Sequence, residues 1–175
     1  MVPASGVSAL RRLQMSTKQR VGCISKPRKN KSVRRSVIAN YAKWSARLYA
    51  SLKMLIVPYE QISQLVPQTG KVLDVGCGYG ILSFFLCFEA PNRQVLGIEP
   101  NRARVSAIPK IVKKIPSNVS FRAGDISAIA SHSFQCIVME EVLHHIAKED
   151  QQQVLQQIHG SLDDDGTFIL RENNK

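Results

Sequence analysis

The stretch "VLDVGCGYG", residues 72 to 80, sets Asp74, Gly76, Gly78 and Gly80 at alternate positions directly after a short apolar run. Residues without a Cβ let a chain turn tightly and lie against a small ligand, and the amides of a following helix favour negative charge. A dinucleotide fingerprint would need glycine at position 81 after Gly76 and Gly78, but Ile81 stands there, so the spacing is D-x-G-x-G-x-G. Further on, Glu99 is a carboxylate able to accept from both hydroxyls of a ribose. Asp125 is an acceptor for the exocyclic amine of an adenine, and Ile126 beside it offers an apolar face to the ring. "MEEVLHHI" then brings Glu140, Glu141, His144 and His145 close in sequence. A histidine near neutral pKa can take a proton from a hydroxyl or an ammonium. Each residue also has a plainer use: glycines in turns, acids at helix starts, the His pair on a helix surface.

The elements that must position these residues follow from periodicity. "KVLDVG" reads as a strand, 80 to 90 as a helix, "RQVLGIEP" as a strand, 101 to 114 as a helix, and "NVSFRAGD" as a strand. "SFQCIVMEE" follows as a strand, then a helix from about 147 to 161, then the strand "GTFILRE". Strands separated by helices imply right-handed crossovers and a Rossmann-like, mostly parallel α/β sheet with helices on both faces. Ligands bind at the carboxyl ends of such strands, where the glycine loop, Glu99, Asp125 and Glu140 all fall. That common register is what the plainer uses do not supply.

Charge divides the 175-residue chain. Before Glu60 stand 13 Lys and Arg and no acid; from Glu60 onward 11 Lys and Arg face 13 acids. Residues 1 to 36 lack apolar periodicity and read as a disordered basic arm, suited to nucleic acid, an anionic membrane or organellar targeting, or serving only as a solvated tail. Residues 37 to 175 read as one domain. Within it Tyr41, Trp44, Leu48, Leu52 and Leu55 recur at helical spacing and predict an amphipathic helix over about 37 to 57. Its apolar face is expected to pack on the domain, with Lys43 and Arg47 outward; a lipid surface is the other use of such a face. Cys23, Cys77, Cys87 and Cys136 have no metal or disulfide spacing, which points to reduced thiols, an intracellular, cytoplasmic setting and no metal site. No apolar run approaches the roughly 20 residues of a membrane span.

"VLDVGCGYG", "VLGIEPN", "FRAGDIS", "FQCIVMEEVLHHI" and "LDDDGTFIL" together resemble successive motifs of class I S-adenosylmethionine-dependent methyltransferases, over residues 60 to 172. The resemblance implies S-adenosyl-L-methionine as cofactor. Asp74, Gly76 and Gly78, with Cys77 and Gly80 in the same loop, would line its methionine part, Glu99 with Pro100 the ribose, and Asp125 with Ile126 the adenine. Backbone at Met139 and Glu140 would approach the amino acid end. His144 and His145 are the candidates for proton removal. The "VLHHI" form is more like methyltransferases of small molecules and lipids. Two departures stand out: Gln135 replaces a common aspartate, and the sequence stops after a fifth strand where the family has seven. An unpartnered fifth strand implies self-association and weak turnover. The readings are a small-molecule or lipid methyltransferase, an RNA-directed one using the basic arm, or a truncated, inactive cofactor-binding remnant.

Overall fold

The computed structural model describes residues 30–172. It begins with α1, Lys31–Asn40, capped by Asn30, whose side chain accepts from the Val33 amide at 3.2 Å. Residues 31–36, expected to belong to a structureless arm, are therefore helical; the rest of that expectation, on residues 1–29, lies outside the described residues. Val33 and Val37, one turn apart, are buried, an apolar edge too narrow to register as a period among arginines. Arg34 turns inward, donating Nη2 to Glu60 Oε2 at 2.6 Å, Nε to Glu60 Oε1, and Nη1 to the Met54 carbonyl at 2.5 Å.

Helix α2, Trp44–Ile56, reverses the expected packing. Tyr41 is buried but precedes the helix, bridging to Val112 and donating its hydroxyl to the Tyr79 carbonyl at 2.9 Å. The rest of the stripe faces outward: Trp44 is 78% exposed, Leu55 79%, Leu48 52% and Leu52 51%. Buried instead are Ala50 and Met54, with Ala46 packed partly against the core. Ala46 and Ala50 let that side approach its neighbours closely, and the unbranched Met54 side chain fills the core beside them.

A short helix α3, Tyr59–Leu65, leads into the sheet. The strands are β1 (Gly70–Val75), β2 (Arg93–Glu99), β3 (Val119–Ala123), β4 (Phe134–Glu140) and β5 (Leu162–Arg171). Between them run α4 (Ile81–Glu89), α5 (Arg102–Ile111) and α6 (Lys148–Ser161). The order is β3-β2-β1-β4-β5 with every neighbouring pair parallel, as the alternation predicts. Alternate residues of the central strands feed different cores. Val72, Cys136 and Val138 join α1, α3 and α4 on one face; Leu73, Ile137 and Met139 join Ile158 of α6 on the other.

Arg93 is fully buried at the start of β2, donating to the Pro67, Ser63, Val66 and Leu86 carbonyls and to Ser63 Oγ, so one guanidinium satisfies the end of α3. Gln135 joins the amino ends of three strands: it accepts from the Lys71 amide at 2.5 Å and donates to Asp163 at 2.6 Å, far from the carboxyl edge. β5 starts earlier than "GTFILRE" predicts. Leu162 pairs with Phe134, then the register slips so that Cys136 meets Thr167. Cys77, Cys87 and Cys136 are free and buried. Among the described residues no helix is long and apolar enough to cross a membrane.

Candidate functional site at the carboxyl edge

The strand order reverses direction between β1 and β4, and the crevice of an open α/β sheet lies at that switch. The glycine loop crosses it with Gly76, Gly78 and Gly80 all at positive φ, 72°, 57° and 81°. A Cβ at Gly76 would stand 2.4 Å from Val142 Cγ2, and one at Gly80 would stand 2.7 Å from the Phe121 ring. At Gly78, by contrast, a Cβ would meet no heavy atom within 4 Å. Two glycines are thus demanded by packing, and one leaves bare backbone under open space.

The loop's amides are less available than the glycine spacing implies. Those of Gly76 and Cys77 donate to the Ile98 carbonyl at 2.8 and 3.0 Å, and that of Gly80 to the Cys77 carbonyl at 2.8 Å. The Gly78 amide donates to Glu99 Oε2 at 3.1 Å. Glu99 Oε1 accepts from the Asn101 amide at 3.0 Å, with Arg104 at 3.6 Å. This buried carboxylate is therefore fixed beside Gly78, and each oxygen has a further lone pair for a diol. Pro100 beyond it is exposed. The Gly124 amide donates to the Glu99 carbonyl at 3.1 Å and ties the end of β3 to that of β2; a Cβ at Gly124 would also meet open space.

Asp125 caps a short 3-10 turn, Ile126–Ala128, accepting from the Ser127 amide at 2.9 Å and hydroxyl at 2.5 Å. Both bonds use Oδ1, and they hold its carboxyl below the usual range. Two residues read from sequence as pocket lining, Ile126 and Cys77, have buried side chains, and so has Met139, whose expected part is played by its backbone. Ile126 belongs to the second core with Leu73 and Ile98. The Cys77 thiol packs within 3 Å of where a Gly97 Cβ would stand. Asp74 is buried under the loop, accepting from Ser83 Oγ at 2.5 Å. Desolvation pushes its carboxyl up to about 7, against the lowering hydrogen bond from Ser83.

The other half of the edge is open and charged. Glu141 has left-handed backbone, φ 56°, and its amide donates to the Arg171 carbonyl at 2.9 Å. Arg171 Nη1 bridges Glu140 and Glu141, each at 2.9 Å. Burial raises the Glu140 carboxyl, opposed by Lys53 and Arg171. His144 and His145 lie on a 3-10 turn, Leu143–His145, their rings 4.0 Å apart. Glu172, directly after β5 and not among the site residues the sequence singles out, accepts from the Val142 and Leu143 amides at 3.1 and 2.7 Å. It also holds His144 Nδ1 at 2.6 Å. Lys53 of α2, both histidines and Arg171 line a depression of about 250 Å³.

A profile of the family described as "Methyltransferase domain" matches residues 72–166, more than half of the chain. The chain belongs to that family. The match runs from β1 into β5 and takes in the glycine loop, Glu99, Asp125 and the histidine turn. Over 137 residues the methyltransferase domain is 23% identical to a carboxy-S-adenosyl-L-methionine synthase of Campylobacter lari, covering 78% of this chain and 58% of the relative. Against a Haloferax volcanii methyltransferase in complex with the Trm112 activator it has a TM-score of 0.60 and 19% identity, over 73% of this chain and 57% of that one. Against coclaurine N-methyltransferase bound to N-methylheliamine and S-adenosylhomocysteine the TM-score is 0.54 at 20% identity, over 70% and 34%. These likenesses establish a shared fold. The chain spans about half the length of the curated relatives it matches.

Proposed function

We propose that these residues form the cofactor-binding part of an S-adenosylmethionine-dependent methyltransferase whose acceptor is a small molecule or lipid. The observation that carries the reading is the bare Gly78 backbone facing open space beside a buried, fixed Glu99 carboxylate, the pairing a ribose and its sulfonium-bearing chain would need. The methyltransferase domain match and the S-adenosylhomocysteine in the coclaurine enzyme support it. When bound, S-adenosylmethionine supplies an electrophilic methyl group on a sulfonium.

The chain's own residues bind, orient and take a proton. Glu99 holds the ribose diol; Asp125 Oδ2, which takes neither Ser127 bond, accepts from the adenine amine. Methyl transfer gains most from holding nucleophile and methyl group in line, so the lining of the depression serves chiefly to position the acceptor. With Nδ1–H donated to Glu172, His144 keeps Nε2 as the nitrogen that takes the acceptor's proton.

Calorimetric titration with S-adenosylhomocysteine tests the reading. Glu99→Ala should weaken binding by about 2 to 3 kcal/mol, the scale of charge-assisted hydrogen bonds to a diol. Unchanged affinity with the fold intact would remove the pocket from this edge. Radiolabel transfer into fractionated lipid, RNA and metabolite pools would identify the acceptor class, and label in RNA would favour the RNA-directed alternative.

A further inference from the structure

Trp44, Leu48, Tyr49, Leu52, Leu55 and Ile56 are all exposed, and all lie within less than half of the circumference of one helix, α2. Exposed apolar side chains scattered singly need no explanation; six on one face of a 13-residue helix do. The charges on the helix itself are of one sign, while Glu140 and Glu141 stand only at its end, across the depression from Lys53 and Ile56. Arg47 stands on one flank of the stripe and Lys53 on the other, and no acid occurs anywhere before Glu60.

We propose that α2 is a membrane-surface helix: its apolar face seats in an anionic phospholipid surface, with Arg47 and Lys53 at headgroup level. An apolar stripe edged by Lys and Arg, with an aromatic residue at its margin, is the arrangement that lies in the plane of a bilayer interface. Residues 1–29 add seven Lys and Arg and no acid, which strengthens attraction to an anionic leaflet. A second copy fits poorly, because apposed α2 faces would bring two acid-free basic segments together. RNA fits poorly as well, since leucines and an isoleucine offer a phosphate backbone neither charge nor donors. Docking would also bring the depression to the lipid, because Lys53 and Ile56 form its wall on the α2 side. That consequence rests on the methyltransferase reading and makes the acceptor a membrane-resident amphiphile.

Trp44 is the single tryptophan of the chain and stands in the stripe, so its fluorescence reports directly. The full chain is mixed with vesicles of phosphatidylcholine, with and without phosphatidylglycerol, and followed by co-sedimentation and Trp44 emission. Binding to the anionic vesicles with a blue-shifted emission is expected. Leu48→Ser combined with Leu55→Ser should weaken that binding by about tenfold, on the scale of hydrocarbon burial at an interface. An unmoved emission, binding indifferent to the leucine substitutions, loss of RNA binding instead of vesicle binding in that variant, or an emission already blue in a light-scattering dimer would each overturn the proposal. S-adenosylhomocysteine affinity, measured on the same proteins without vesicles, tests the cofactor pocket separately, so either reading can fail alone.

Discussion

Helices α1 and α2 are consecutive and have opposite fates. α1 carries Lys31, Arg34 and Arg35 and is tied into the core; α2 carries six large apolar side chains and leaves them in solvent. Hydropathy alone would reverse the two. What separates them is partners and shape: Arg34 finds the buried Glu60 carboxylate and the Met54 carbonyl, while α2 approaches the core where Ala50 makes its surface low and inserts the flexible Met54 side chain. A charge is admitted when it is paired, and a leucine is left out when the close contact goes to alanine.

The contrast breaks most readily at Glu60. Glu60→Ala leaves the half-buried Arg34 guanidinium with the Met54 carbonyl but without its carboxylate, and should cost about 2 to 3 kcal/mol in urea unfolding. A loss below about 1 kcal/mol would show that Val33 and Val37 hold α1 alone.

Asp74 sharpens the same point, as a buried carboxylate that accepts from the Ser83 hydroxyl and not from a cation. Its proton is retained in the folded chain up to about pH 7 but released near 3.8 when unfolded. Between those values the folded state binds more protons, so this group's contribution to stability falls as pH rises through the window. Asp74→Asn should flatten that slope, gaining a few kcal/mol near neutrality relative to the parent; parallel pH profiles of the melting temperature would refute it.

Met54→Ala, on the buried side of α2, should cost about 2 to 3 kcal/mol by the same unfolding measurement. Leu48→Ser and Leu55→Ser, on the exposed side, should each change stability by no more than about 0.5 kcal/mol. Equal losses on the two sides would mean that something covers the stripe in solution.

The sheet was readable in the sequence because each strand is a short apolar run closed by glycine, proline or an acid. Placing Glu99 and Asp125 at carboxyl ends needed only the parallel order. The facing of α2 was not readable, since periodicity identifies an apolar face without saying whether a neighbour is there to receive it. α1 was missed because two valines suffice to anchor it once Arg34 is paired. Glu172 was missed for a different reason: it lies 28 residues from His144, and their meeting depends on the β4–β5 register. Ser83 under Asp74 belongs to the same class, a contact made by the turn of α4 over the end of β1.

The three buried cysteines have a kinetic consequence. Burial pushes the Cys77 and Cys87 thiols up and the Cys136 thiol up to about 12, so at neutral pH they are protonated as well as shielded. An alkylating reagent can reach each one only while its surroundings are open. Cys77 sits in the glycine loop, Cys87 in α4 and Cys136 in the central strand β4, so their labelling rates time three different breathing motions of one molecule. A ligand clasped by the loop should slow the first of these clocks and leave the third nearly untouched.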